Sequence, residues 1–147
     1  MNNKLQVKFP SLSQNETLAR SVVSFFALQL SPTVAEISDI KTAVSEAVTN
    51  CVVHAYPNEI GEITIECETK ENSLHINVID QGVGIDDVNQ ALKPLYTTKA
   101  ESERSGMGFT IMQSFMDKIV IKSEKGIGTC VYMEKTINAK NKGNNAE

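Results

Sequence analysis

Polar and apolar positions alternate at the start of the chain. Leu5, Val7 and Phe9 are interleaved with Lys4, Gln6 and Lys8. A period of two predicts a short strand, closed by Pro10. Ser11 or Ser13 can act as a cap, and Ser13 with Glu16 three residues on has the spacing of a capping box. It predicts a helix from near Gln14, in which Leu18, Val22, Phe25, Phe26 and Leu30 recur with helical period. Glu16 and Arg20 stand i, i+4 on another flank. Ser31-Pro32-Thr33 breaks the pattern. A second helix is predicted from about Val34 to Ala55, with Ile37, Ile40, Val44, Ala47, Val48 and Cys51 in one stripe at ~100° per residue. Tyr56-Pro57-Asn58 stops it.

Ile63, Ile65 and Cys67 then alternate with charged and polar neighbours, as do Leu74, Ile76 and Val78. The two runs predict an antiparallel hairpin turning at Glu71-Asn72. It ends at Asp80-Gln81-Gly82-Val83-Gly84. From Ile85 to Ser105 the pattern is irregular, polar and interrupted by Pro94. A non-repetitive stretch of about 20 residues in a small domain is usually functional or disordered. Gly106-Met107-Gly108 is expected to open a helix through Ile111, Met112 and Phe115. Ile119 and Ile121 mark a strand, and Gly126-Ile127-Gly128 turns it into a last strand, Thr129 to Ile137. There are no internal repeats. The reading is one domain, 1–137, and a polar, disordered tail, 138–147, rich in Asn, Lys and Gly.

Composition narrows the function classes. A length of 147 residues suits one domain and excludes a two-lobed kinase or a two-domain dehydrogenase. With 41% apolar and 22% charged residues, wholesale disorder is excluded. Lys plus Arg is 14 against 18 Asp plus Glu, a formal net charge of −4. That argues against direct nucleic-acid binding, which needs a basic patch, but leaves room for a local phosphate site. Cys51, Cys67 and Cys130 lie far apart with no CxxC pair, which reads as three reduced core thiols in a cytoplasmic protein. No apolar run approaches the ~20 residues of a membrane span, and no signal-peptide pattern opens the chain.

Four features carry candidate chemistry. Glu46 and Asn50 are i, i+4 neighbours off the apolar stripe of the second helix, with His54 one turn further on. A carboxylate beside a carboxamide suits Mg²⁺, or suits a base next to a Mg²⁺ ligand; alone, the pair also fits a solvated polar face. Asp80, at a strand end before Gly82 and Gly84, can accept a hydrogen bond from an exocyclic amine such as adenine N6, with glycines letting backbone approach a ligand; it also fits an ordinary turn. Arg104-Ser105-Gly106-Met107-Gly108-Phe109 leads into a helix, where backbone amides make an anion site and Arg104 can fork onto phosphate oxygens; it also fits a hinge. Gly126-Ile127-Gly128-Thr129 alone is a turn. Neither GxxxxGK[ST] nor a GxGxxG after the first strand is present, which sets aside P-loop and Rossmann sites.

Together, ExxxN on a helix, DxGxG after a hairpin, a polar lid, GxG at a helix start and GxGT resemble the N, G1 and G2 boxes of the GHKL ATPase superfamily, from about Phe9 to Lys135. Glu46-Ala47-Val48-Thr49-Asn50-Cys51-Val52-Val53-His54-Ala55-Tyr56 and Ser105-Gly106-Met107-Gly108-Phe109-Thr110-Ile111-Met112 are similar to its stand-alone serine kinases that act as anti-sigma factors, nearest to the sporulation type. The short lid Leu95-Tyr96-Thr97-Thr98-Lys99 agrees. Phe109 replaces the Leu of many superfamily members, as in the anti-sigma branch.

The resemblance implies an α+β fold: a two-layer sandwich of the Bergerat type, with a mixed, mainly antiparallel sheet, three main helices on one face and an ATP lid. It implies ATP/ADP and Mg²⁺ as ligands. Asn50 would hold Mg²⁺ and Glu46 would act as general base. Asp80 would hold adenine, with Gly82, Gly84 and Phe109 at the nucleotide and Thr129 near its adenine end. Thr97, Thr98 and Lys99 would lie over the phosphates; Ser105, Gly106 and Gly108 would supply amides, and Arg104 would reach the γ-phosphate. Glu16 and Arg20 match the branch's partner-contact helix. The implied function is phosphorylation of an anti-anti-sigma factor and inhibition of a sigma factor of the sigma-F type, by a homodimer. The alternatives are a non-catalytic, ATP/ADP-switched module that sequesters a transcription factor, and a catalytic domain of histidine-kinase or gyrase-like type.

Overall fold

The structure is a computed structural model that describes residues 2–85, Val88 and 103–138, with backbone alone over 103–108. Its strands are β1 (Asn3–Pro10), β2 (Glu62–Lys70), β3 (Ser73–Asp80), β4 (Lys118–Glu124) and β5 (Gly128–Thr136). Its helices are α1 (Asn15–Ala27), α2 (Val34–Asn50) and α3 (Glu103–Phe115), with a 3₁₀ turn at Leu28–Leu30 and a π-helical turn at Cys51–Ala55. The strands form one sheet in the order β1-β2-β3-β5-β4, and all four pairings are antiparallel.

Register explains the layering. Leu5, Cys67, Ile76, Met133 and Ile119 form one cross-strand row, and Val7, Ile65, Val78, Val131 and Ile121 the next. These rows point to the helices and, with Val23, Ile40, Val44, Val48 and Met112, make the core. The alternate rows are polar, for example Lys4, Glu68, His75, Glu134 and Lys118. Burial of one face only is what period-two alternation encodes.

The helices differ from expectation in three respects. In α1 the inward residues are Ala19, Val23, Ser24 and Ala27, whereas Leu18 and Phe25 are 49% and 73% exposed. Two apolar stripes compete on this helix, and the one carrying small residues packs inward. Phe26 alone of the aromatic pair packs against the core. Second, the Ser13–Glu16 capping box does not form: the start of α1 has no side-chain cap, and Glu16 instead accepts a hydrogen bond from the Thr49 hydroxyl at 3.1 Å. The capping box is at α2, where the Thr33 amide donates to Glu36 Oε1 at 2.8 Å and the Glu36 amide to Thr33 Oγ1 at 3.1 Å. Third, α3 begins at Glu103, so Gly106 and Gly108 lie within its first two turns. Its four free amides are therefore those of residues 103–106.

Asn138, placed with the tail, donates its amide to Glu36 Oε2 at 2.7 Å and its carboxamide to the Ser31 carbonyl. The rest of that tail, 139–147, lies outside the described residues. Burial raises the Glu36 carboxyl, but bonds from Thr33 and Asn138 outweigh it and the net displacement is downward.

Candidate functional site

Asp80 closes β3 on the core-facing side and is buried. Its Oδ1 accepts from the Gly82 amide at 2.9 Å and the Thr129 amide at 3.2 Å, and its Oδ2 accepts from Cys51 Sγ at 3.5 Å. An ionised carboxylate offers about four lone-pair sites, so one on Oδ2 is left for a further donor. Burial raises the Asp80 carboxyl above its usual range, opposed by the bonds from Gly82, Cys51 and Thr129. Burial and the Asp80 charge likewise push the Cys51 thiol well up. The thiol is a protonated donor rather than a nucleophile.

The walls of this end are built from turns. α2 widens into the π-helical turn, where the Tyr56 amide reaches back to the Cys51 carbonyl at 3.2 Å. Such bulges are frequent at functional sites. The turn presents the Ala55 carbonyl to the Val83 amide at 3.0 Å. A Cβ on Gly82 would lie 2.2 Å from that same carbonyl oxygen, so no larger residue permits the approach. Gly84 has φ +78°, and a Cβ there would lie 2.4 Å from the Glu124 carbonyl oxygen. The Gly126 amide then donates to the Val83 carbonyl at 2.8 Å. The β3 exit is thus clamped between the α2 turn and the β4–β5 hairpin.

Sequence reasoning missed three supports. Ser123 lies opposite Thr129 in register; their hydroxyls are 2.7 Å apart, and Ser123 Oγ accepts from the Ile85 amide at 2.7 Å. Its signal is a serine where the Ile119, Ile121 alternation calls for an apolar residue. Cys51 is the second, reaching Asp80 across 29 positions. Tyr56 is the third: its hydroxyl donates to the Glu62 carbonyl and accepts from the Gln81 amide, both at 2.7 Å. Burial and the nearby Asp80 charge raise that hydroxyl's pKa despite the Gln81 bond.

The other predicted residues lie on the last turns of α2, just before the π-helical turn, and on α3. Glu46 is 4% exposed, because α2 is buried on every side from Ala43 to Val48. The solvated polar face is therefore excluded for Glu46. Asn50, one turn on, is half-buried, and its Nδ2 is buried without a hydrogen-bond partner among the described residues. Which carboxamide atom is oxygen and which nitrogen is interchangeable by a flip, so an acceptor oxygen can occupy that position. Arg104, Ser105, Gly106 and Gly108 occupy the start of α3, and Phe109 is half-buried against the core. Thr97, Thr98 and Lys99 lie outside the described residues. Among the described residues, no group of three or more His, Cys, Asp or Glu side chains could hold a metal ion, and no helix is long and apolar enough to cross a membrane.

One buried carboxylate at a strand end, a widened helix carrying Glu and Asn, and a glycine-bearing helix beside it on a five-stranded antiparallel sheet define the GHKL ATP-binding fold. Residues 9–135 match the family described as "Histidine kinase-like ATPase domain". The chain is 58% identical to the anti-sigma F factor of Caldanaerobacter subterraneus subsp. tengcongensis, over 92% of this chain and 95% of that protein. It is 51% identical to the anti-sigma F factor of Clostridium beijerinckii, over 93% and 96%. Its fold is similar to that of the RsbU and RsbW domains of a Mycobacterium tuberculosis protein, with a TM-score of 0.66, 16% identity, and coverage of 92% of this chain and 32% of that one. It is similar also to the catalytic domain of the histidine kinase ThkA, with a TM-score of 0.58, 16% identity, and coverage of 90% and 96%. The chain belongs to the histidine kinase-like ATPase family and, within it, to the anti-sigma F factors.

Proposed function

We propose that this protein is an ATP-dependent serine protein kinase that phosphorylates an anti-anti-sigma factor and binds and inhibits a sporulation sigma factor of the sigma-F type. The observation that carries the catalytic half is Glu46: a carboxylate at 4% exposure on α2, one turn before Asn50. A carboxylate held one turn from a carboxamide on the same helix suits a general base beside a metal ligand, and nucleotide sensing alone needs no base.

The residues present fit Mg²⁺-ATP. The remaining acceptor site on Asp80 suits the adenine amino group, and Thr129 and the Gly82–Gly84 backbone border it. The buried, unpartnered end of the Asn50 carboxamide suits an ion that arrives with the phosphates and takes few protein ligands. Bound Mg²⁺ supplies charge neutralisation at the β- and γ-phosphates. Glu46 accepts the proton of the attacking serine hydroxyl. The free amides at the start of α3 would hold the phosphates in place, and Arg104, Thr97, Thr98 and Lys99 would add contacts to them. Positioning and electrostatics supply most of the rate.

Partners dock on α1, where Glu16 is tied to Thr49 and Arg20 is half-exposed. The protein works as a cytoplasmic homodimer and does not bind nucleic acid directly. The test is incubation with γ-labelled ATP and an anti-anti-sigma factor. The wild type should label one serine, and Glu46→Gln should bind ATP normally yet transfer nothing. ATP binding without transfer by the wild type would instead support a non-catalytic switch.

A further inference from the structure

Lys135 breaks the pattern of its strand. Thr129, Val131, Met133, Lys135 and Ile137 all project toward the helices, and the lysine is 9% exposed in that apolar row. Lysines are seldom buried without a partner. Here the ammonium donates to the Phe115 carbonyl at 2.7 Å and lies 3.5 Å from the Asp39 carboxylate. Phe115 is the last residue of α3 and Asp39 lies in the second turn of α2. A cation at a helix C-terminus satisfies an orphan carbonyl and complements the macrodipole. One side chain of β5 therefore ties down α3 at its far end and also holds α2.

Each of these three elements carries part of the candidate site: β5 bears Thr129, α2 bears Glu46 and Asn50, and α3 has Ser105 and Gly106 in its first turn. Among the described residues α3 packs mainly against α2, with fewer ties to the strands. Asp117, just after α3, adds one: its amide donates to the Glu134 carbonyl at 2.9 Å and its carboxylate accepts from the Thr136 amide at 2.6 Å.

We propose that Lys135 is a positioning residue for phosphate binding. By holding the C-terminus of α3, it sets where the amides at the other end of that helix stand relative to Asn50 and Asp80. The proposal rests on the nucleotide reading above. It predicts a selective effect, because the adenine end is held by the bonds of Asp80 to Gly82, Thr129 and Cys51, in none of which Lys135 takes part.

ATP, ADP and adenosine are titrated against wild type, Lys135→Met, Lys135→Arg and Asp39→Asn. Lys135→Met should weaken ATP and ADP by about fivefold, the effect of losing a favourable helix-end charge, and leave adenosine unchanged. Lys135→Arg should restore both nucleotides, and Asp39→Asn should show the same selectivity with a smaller loss. Equal weakening of all three ligands, unchanged ATP affinity, or failure of the arginine rescue would overturn the proposal. If Lys135→Met does not fold, the selectivity of Asp39→Asn decides alone. A wild type that binds no ATP sinks the nucleotide reading and this inference with it. Wild-type binding with indifferent variants sinks this inference only.

Discussion

Replacing Asp80 by Asn separates binding from stability in opposite directions. In the native protein Oδ1 takes the Gly82 and Thr129 amides, and Oδ2 takes the Cys51 thiol. An asparagine carbonyl can keep the two amides. Its NH₂ then sits where Oδ2 was, facing two donors, the thiol and the adenine amino group. The thiol can rotate and accept; the amino group cannot. A hydrogen bond to a charged acceptor is worth roughly 1.5–3 kcal/mol, so ATP should bind about 10- to 150-fold more weakly.

The free protein should not suffer. The folded pKa of Asp80 is raised, with burial the largest cause. The folded state therefore holds the proton more tightly than the unfolded chain does. Ionisation costs stability as pH rises from the ordinary carboxylate range through the raised value, and the cost is complete above it. Asp80→Asn removes that cost, so urea unfolding of the nucleotide-free variant should show equal or greater stability. Wild-type ATP affinity should fall as pH drops through the raised pKa. ATP binding within about twofold of wild type, or a stability loss beyond about 1 kcal/mol by urea, would refute the reasoning.

Gly82→Ala should cost about 1–3 kcal/mol in thermal or urea unfolding and weaken ATP, because its Cβ meets the Ala55 carbonyl oxygen; an unchanged midpoint would mean the clamp yields freely. Thr33→Ala should cost about 1 kcal/mol by urea titration through loss of the α2 cap, whereas Ser13→Ala, which caps nothing, should cost almost nothing. Arg20→Ala should weaken capture of the sigma factor and the anti-anti-sigma factor in pull-downs, with ATP affinity unchanged in calorimetry.

Strand positions were legible because one face of the sheet is buried and a period of two then has a physical cause. The Asp80 turn was legible because close backbone approach at Gly82 and the positive φ of Gly84 demand glycine. Helix faces were harder. In α1 the larger apolar residues, Leu18 and Phe25, face outward while Ala19 and Ala27 face in, since close packing favours small size over hydrophobicity. In α2, burial extends around the whole circumference, so a one-stripe reading picked out Glu46 but not its burial. The links from Cys51 to Asp80 and from Lys135 to α3 depend on how distant segments are juxtaposed, which local periodicity does not encode. Lys135 still left a trace, as a charge at an inward-facing position of β5.

The place of β1 in the sheet bears on how the chain is made. Among the described residues this strand lies at an edge of the sheet and pairs with β2 alone, and the amide of Asn3 bonds to the hydroxyl of Thr69, 66 positions later. Closing so large a loop is entropically costly until both ends are structured. On the ribosome, β1 emerges before α1, α2 and β2, and it must wait for all of α1 and α2 and for the start of β2 before it finds this partner. Lys4 and Lys8, carried on its solvent-side row, give that waiting strand charges that discourage pairing with a neighbouring nascent chain.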